Sequence, residues 1–196
     1  MTGKMTKQWT GVLGLAALLG ACAPADEQEQ NEAVQDTAAG GSAAAMAMTQ
    51  AKDGNHEFLR MMSDHHEGLI AIAHLAKDRK GTSPTIADGR KLDAQQDAEL
   101  DRMTTMLEQD FKDPYAPKVA PEHKAMHDDL QAKSGTEFDR TFYQNVIAHH
   151  EQALKMIADY LPKAGSQAIR QMAEKMKADQ TREIGEFRQK LAKLGA

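Results

Sequence analysis

Between residues 58 and 76 the large apolar side chains recur every three or four positions: Phe58, Met61/Met62, Leu69, Ile72/Ala73 and Leu75/Ala76. That is the spacing of one face of an α-helix. Phe142, Val146, Ala153, Met156/Ile157 and Tyr160 draw the same stripe again. Two further stripes, Leu92, Gln96, Glu99, Met103, Met106 and Met176, Gln180, Glu183, Phe187, Leu191, have helical spacing but are interrupted by an amide and a carboxylate. The pattern predicts helices over about 55–80, 83–112, 137–161 and 167–194, with a shorter one over about 121–133. Gly81 and Gly165 stand where a helix C-cap takes a left-handed residue. Thr82 or Ser83, and Ser166, are good N-caps, Pro84 suits a first turn, and Pro162 closes the helix before it.

These stripes are copies of one another. Phe58/Phe142, His65/His149, His66/His150 and Glu67/Glu151 are each 84 residues apart, and one ungapped register continues through Gly81/Gly165, Gln96/Gln180, Glu99/Glu183 and Leu107/Leu191. Two helical hairpins with one apolar face each bury those faces by packing together. The expected fold is therefore all-α: an antiparallel four-helix bundle of two repeated hairpins (about 55–112 and 137–194) joined by a crossover (113–136) carrying the short helix.

The segment before residue 53 belongs to something else. Lys4 and Lys7 precede a short apolar stretch, residues 9–19, that ends in Leu19-Gly20-Ala21-Cys22. This has the anatomy of a secretory signal peptide over 1–21 and resembles the bacterial lipobox, in which the Cys is diacylated and becomes the mature N-terminus. Several acyl chains on Cys22 would anchor stably, since each buried methylene adds about 0.8 kcal/mol. Ala23, rather than Asp, favours the periplasmic face of the outer membrane by resemblance. Residues 22–52 then read as a lipidated Cys and a disordered tether, leaving 53–196 as the folded domain.

Composition narrows the chemistry. The chain of 196 residues has a net charge of −5, so nucleic acid is not an expected partner. One Cys excludes a disulfide scaffold, an iron–sulfur protein and a thiolate zinc site. Twelve Met and eight His remain to be explained. His65 and His149 fall on the apolar stripes, with His66 and His150 on their flank. Glu99, Glu183 and two amides also point toward the bundle axis, where isolated charges are costly and must meet a partner or a cation. Two readings follow: His65 and His149 pair with Glu99 and Glu183 in buried bonds that fix helix register, or the same groups form a transition-metal site. His65, His66, His149, His150, Glu99 and Glu183 are the metal candidates, with Met61, Met62 and Met156 as soft ligands. Imidazole combined with thioether favours copper, as Cu(I) or Cu(II). His123, Met126 and His127 share a face of the short helix and offer either a second, weaker copper site or mere decoration of a solvated surface. His56 and His74, which have no equivalents in the other copy, read as surface or site-edge residues.

The doubled pattern, Phe-x6-His-His and later Gln-x-x-Glu-[Leu/Ile]-x-x-[Met/Phe], resembles the bacterial domain of unknown function 305, over about residues 55–194. The resemblance implies a ferritin-like bundle and kinship with CopM-type copper-binding proteins. The Met before His-His survives as Met61/Met62 only in the first copy, and the Met after it as Met156 only in the second. A ferritin-like di-iron oxidase would carry Glu-x-x-His, but Met62 and Val146 stand three residues before His65 and His149. The expectation is a non-enzymatic envelope lipoprotein that binds copper for sequestration or resistance. Its alternatives are a structural or adaptor lipoprotein with a register-locking core, and a metal-dependent oxidase of Cu(I) or Fe(II).

Overall fold

The computed structural model describes residues 52–77 and 81–195. The expected signal peptide (1–21), Cys22 and residues 23–51 of the expected tether therefore lie outside the described residues. Within them the chain is helical, without strands: α1 Gly54–Lys77, α2 Ser83–Phe111, α3 Pro121–Gln131, α4 Gly135–Tyr160 and α5 Gln167–Lys193. Each begins and ends within a few residues of the bounds set by the hydrophobic stripes. None is long and apolar enough to cross a membrane.

Local chemistry sets the helix ends. Asp53 Oδ1 accepts from the backbone N–H groups of Asn55 and His56 (2.8 and 2.9 Å), which caps α1. Pro84 lies in the first turn of α2, and Lys112 ends it in the left-handed region at φ 53°, where the Asp113 N–H turns back to Leu107 O. Ser166 Oγ accepts from the Ile169 N–H at the start of α5. Gly165, expected as a left-handed cap, does not have positive φ. The chain leaves α4 through a 3-10 turn at Leu161–Lys163 instead.

A side chain from the opposite hairpin closes each turn. Asn55 Oδ1 on α1 accepts from the N–H groups of Gly165 and Ser166 (3.1 and 3.2 Å) and from Tyr160 Oη. Asp139 Oδ1 on α4 accepts from the Thr82 N–H at 2.9 Å. A Cβ on Gly81 would lie 2.5 Å from that carboxylate, so glycine serves close approach there. Asn55 and Asp139 are themselves 84 residues apart, so the two clasps are one device used twice.

Contacts along the seams give the directions. His56 stacks on Phe111, His66 meets Glu99 and Lys77 meets Asp93, so α1 and α2 run antiparallel. Arg140 reaches the Leu194 carbonyl and His150 meets Glu183, so α4 and α5 do the same. Between hairpins, Phe58 stacks on Tyr160 (4.0 Å between ring centroids) and His65 meets His149 with tilted rings (3.7 Å), which crosses α1 against α4. Lys190 bonds Asp88, joining α5 to α2. The short α3 lies on α1 and α4, where Asn145 Nδ2 donates to Met126 O.

The core is in two parts. One surrounds Leu69, Ile72, Leu130, Phe138, Phe142 and Phe187; the other surrounds Phe58, Met62, Met103, Ile157, Ile169 and Met176. Most of these side chains are fully buried, each contributing about 1.5–3 kcal/mol. Between them, at the middle of every long helix, lies a buried polar layer: Ser63, His65, His66, Gln96, His149, His150, Gln180 and Glu183.

Candidate metal centre

Adjacent residues on a helix point about 100° apart. The first histidine of each pair therefore turns into the α1–α4 seam, and the second turns toward the helix that completes its own hairpin. His65 and His149 meet in the seam with ring centroids 3.7 Å apart. His123, from α3, closes over them at 5.0 Å from His65 and 4.8 Å from His149. All three are buried, and one ring nitrogen from each lies within 4.8 Å of the others.

The hydrogen bonds leave these rings with free lone pairs. His149 Nε2 donates to the His65 carbonyl at 2.7 Å, which leaves its Nδ1 without a proton. His149 Nδ1, His123 Nδ1 and both nitrogens of His65 have no hydrogen-bond partner. Burial pushes the imidazoles of His65 and His149 well below their ordinary value of 6.5, and repulsion from neighbouring imidazoles lowers them further. Burial lowers His123 as well. Buried polar atoms without partners are costly. Neutral imidazoles converging on one point, one of them donating its other N–H to a backbone carbonyl, form a donor set that fits a transition metal. A cavity of about 320 Å3 reaches this point, with Met61, Asp64, His65, His123, Gln152 and Met156 in its wall. Thioethers thus border the imidazoles without sharing their hydrogen-bonded frame.

The other candidates lie elsewhere. His66 Nε2 bonds Glu99 Oε2 at 2.9 Å, and His150 Nε2 bonds Glu183 Oε2 at 3.0 Å. The register-lock reading pairs His65 and His149 with these carboxylates; in the structure their neighbours take the carboxylates, because the 100° step puts only the second His beside α2 or α5. The six-residue centre of four His and two Glu is accordingly divided: His65 and His149 join His123 in a triad, and the other four form two His–Glu pairs. Met62 is fully buried in an apolar cluster, away from the cavity that Met61 and Met156 line. Met126 packs against the other cluster, and His127 Nδ1 sits 3.1 Å from Asp128 on the surface. His123 has thus left the expected His123/Met126/His127 trio for the central triad. His74 is on the surface as expected, but His56 is buried, with Nε2 2.7 Å from Asp113 Oδ2.

Sequence reasoning missed the part played by the crossover. The proline-rich segment before α3 runs along α1, where Asp64 accepts from Tyr115 Oη and the Lys118 N–H, each at 2.8 Å. That segment sets where α3, and so His123, comes down. Gln152 was missed too; its Oε1 lies 3.4 Å from His123 Nε2. The available signal was asymmetry, since residues unlike their partners 84 positions away mark what only one copy does.

A family model described as domain of unknown function (DUF305) matches residues 4–107 and 55–191. The two matches end at Leu107 and Leu191, which are related by the 84-residue repeat. Among solved structures, the chain is similar to a DUF305 protein of Streptomyces coelicolor (19% identity, TM-score 0.66, covering 74% of this chain and 95% of that one). It is also similar to a DUF305 fragment from Deinococcus radiodurans (20%, 0.65, 73% and 98%). A third similar structure is CopM in its Cu(II)-bound form (24%, 0.63, 71% and 96%). No curated protein sequence matches the chain.

Proposed function

This chain belongs to the DUF305 family, and we propose that it is an envelope lipoprotein that binds copper for sequestration or resistance. The observation that carries this reading is the triad: His65, His123 and His149, brought from three helices into a buried cluster with unpartnered nitrogens. Those imidazoles would hold the ion, with Met61 and Met156 on the cavity wall as soft donors suited to Cu(I). The solved structures of CopM with Cu(II), Cu(I) and silver support the choice of metal through the shared fold. The lipobox-like Leu19-Gly20-Ala21-Cys22 supports anchoring through Cys22, at the periplasmic face of the outer membrane.

The role is binding rather than catalysis. The ligands are neutral imidazoles, and both core carboxylates are engaged by His66 and His150. Those two pairs also give the register-lock alternative a definite place, since a closed His–Glu bond in each hairpin fixes how α2 lies on α1 and α5 on α4. Lock and metal centre occupy different residues of one layer, so each can be tested separately. Competition titration with Cu(I) and with Cu(II) tests the metal reading. The expected result is one tight site that is lost when His65→Ala and His149→Ala are combined. Affinity no better than that of a scrambled His-rich peptide, or unchanged in that double variant, would refute it.

A further inference from the structure

The 84-residue repeat is strict at the two histidine pairs and fails along one line of α1. His56, Arg60, Asp64 and Gly68 are spaced four apart, so they form a single stripe down the helix. Their counterparts in α4 are Arg140, Gln144, Ala148 and Gln152. Every member of the α1 stripe touches the crossover. Asp113 Oδ2 lies 2.7 Å from His56 Nε2 and 3.1 Å from Arg60 Nε, and the Arg60 guanidinium lies over the Tyr115 ring at 4.5 Å. Asp64 accepts from Tyr115 and Lys118. Gly68 is where His123 lands.

A Cβ on Gly68 would lie 2.2 Å from His123 Nδ1 and 2.5 Å from its Cγ. The glycine does not relieve backbone strain, since it stands inside α1 without a positive φ. Glycine is among the poorest helix formers, so the position gives up helix propensity for room. Gln152, the repeat partner of Gly68, faces the same ring from α4; its amide oxygen accepts from Nε2–H, which leaves the lone pair on Nδ1. One copy of the position clears space for the imidazole and the other holds it.

We propose that the stripe His56, Arg60, Asp64, Gly68 is a docking track for the crossover, and that Gly68 and Gln152 are positioning residues that seat His123. They convert a two-histidine seam common to both halves into a three-imidazole metal centre. The metal part of this inference rests on the copper reading above; the docking part does not.

The test uses Cu(II) alone as probe and Gly68→Ala as the principal variant. Alanine favours the helix, but its Cβ would fall within 2.8 Å of His123 Nδ1, Cγ and Cβ, so the metal-free protein should still fold while melting somewhat below the parent. Its Cu(II) affinity should fall tenfold to a hundredfold, as is usual when a ligand's support is removed. The nitrogen couplings in its electron paramagnetic resonance spectrum should show one imidazole fewer. In a His123→Ala background the same substitution should produce no further loss, because its effect runs through that ring. Parental affinity in Gly68→Ala, or losses that simply add in the double variant, would overturn the proposal. If Gly68→Ala does not fold, Tyr115→Phe replaces it: loss of the bond to Asp64 should speed amide exchange at Lys118 and weaken Cu(II) binding, and no change in either would overturn the proposal. If the parent itself binds no copper, the copper reading fails. The docking track then stands or falls on whether Gly68→Ala speeds amide exchange over residues 113–120 in the metal-free protein.

Discussion

The repeat supplies a controlled comparison inside one molecule. His66–Glu99 and His150–Glu183 are the same pair at the same spacing, yet Glu99 is 15% exposed at its side chain and Glu183 is 0% exposed. Both histidines are fully buried. Glu183→Ala would leave His150 Nε2 facing a closed void; removing one member of a buried pair costs about 3–5 kcal/mol. Glu99→Ala removes the equivalent acceptor where water can take its place, so its cost falls toward that of an ordinary hydrogen bond, about 1–1.5 kcal/mol. At about 2–4 °C per kcal/mol for a domain of this size, Glu183→Ala should lower the melting temperature by about 6–20 °C and Glu99→Ala by about 2–6 °C. Thermal unfolding of the metal-free protein, followed by circular dichroism, gives both values. Glu183→Gln, which keeps an acceptor oxygen, should fall between the parent and the alanine variant. Equal losses from the two alanine substitutions would refute the argument, since burial is the main difference between the pairs. So would a Glu183→Ala protein that melts normally but no longer binds copper, because Glu183 would then be a ligand and not half of a structural pair.

Other expectations follow from the same layer. His65, His123 and His149 are bases whose folded values are lowered, so below their ordinary value of 6.5 the unfolded chain takes up protons first. The stability of the metal-free protein should therefore be complete above pH 6.5 and decline as the pH falls below it; a flat profile between pH 7 and 5 would contradict the burial of neutral rings. His123→Ala should weaken copper binding at least tenfold while His127→Ala leaves it unchanged, as read by competition titration, and the reverse order would restore the surface site on α3. Gln96 and Gln180 are buried with both amide atoms unpartnered. Replacing either by Leu removes an uncompensated burial of about 1–3 kcal/mol and should raise the midpoint of urea unfolding. A large loss there would show that these amides have partners on which the fold depends.

Much of the architecture could be read from the chain because it is local. Helix bounds follow from stripes at intervals of three and four, and the proline and cap positions place the connections to within a few residues. The repeat sets His, Gln and Glu at matched positions in the two hairpins, and the bonds His66–Glu99 and His150–Glu183 are matched in the same way. Gly165 was misjudged for an instructive reason. Its surroundings resemble a C-cap, but the carbonyl oxygen that satisfies this turn comes from Asn55, 110 residues away in sequence.

The sequence by itself determined the helices, their pairing into two equivalent hairpins and the presence of a polar layer between two apolar halves. It also determined that imidazoles lie in that layer, since periodicity alone carries His65 and His149 onto the buried face. Tertiary structure decided which groups meet there. Two adjacent histidines both border a buried stripe, and only the arrangement of neighbouring helices sends one into the seam and the other to a carboxylate. His123 joins them because an unrepeated stripe on α1 fixes the path of the crossover and a missing side chain at Gly68 lets the ring approach. Periodicity is a property of one helix, whereas a cluster assembled from three helices depends on how they dock. That docking is set by contacts between residues 50 to 110 positions apart, which no local pattern records.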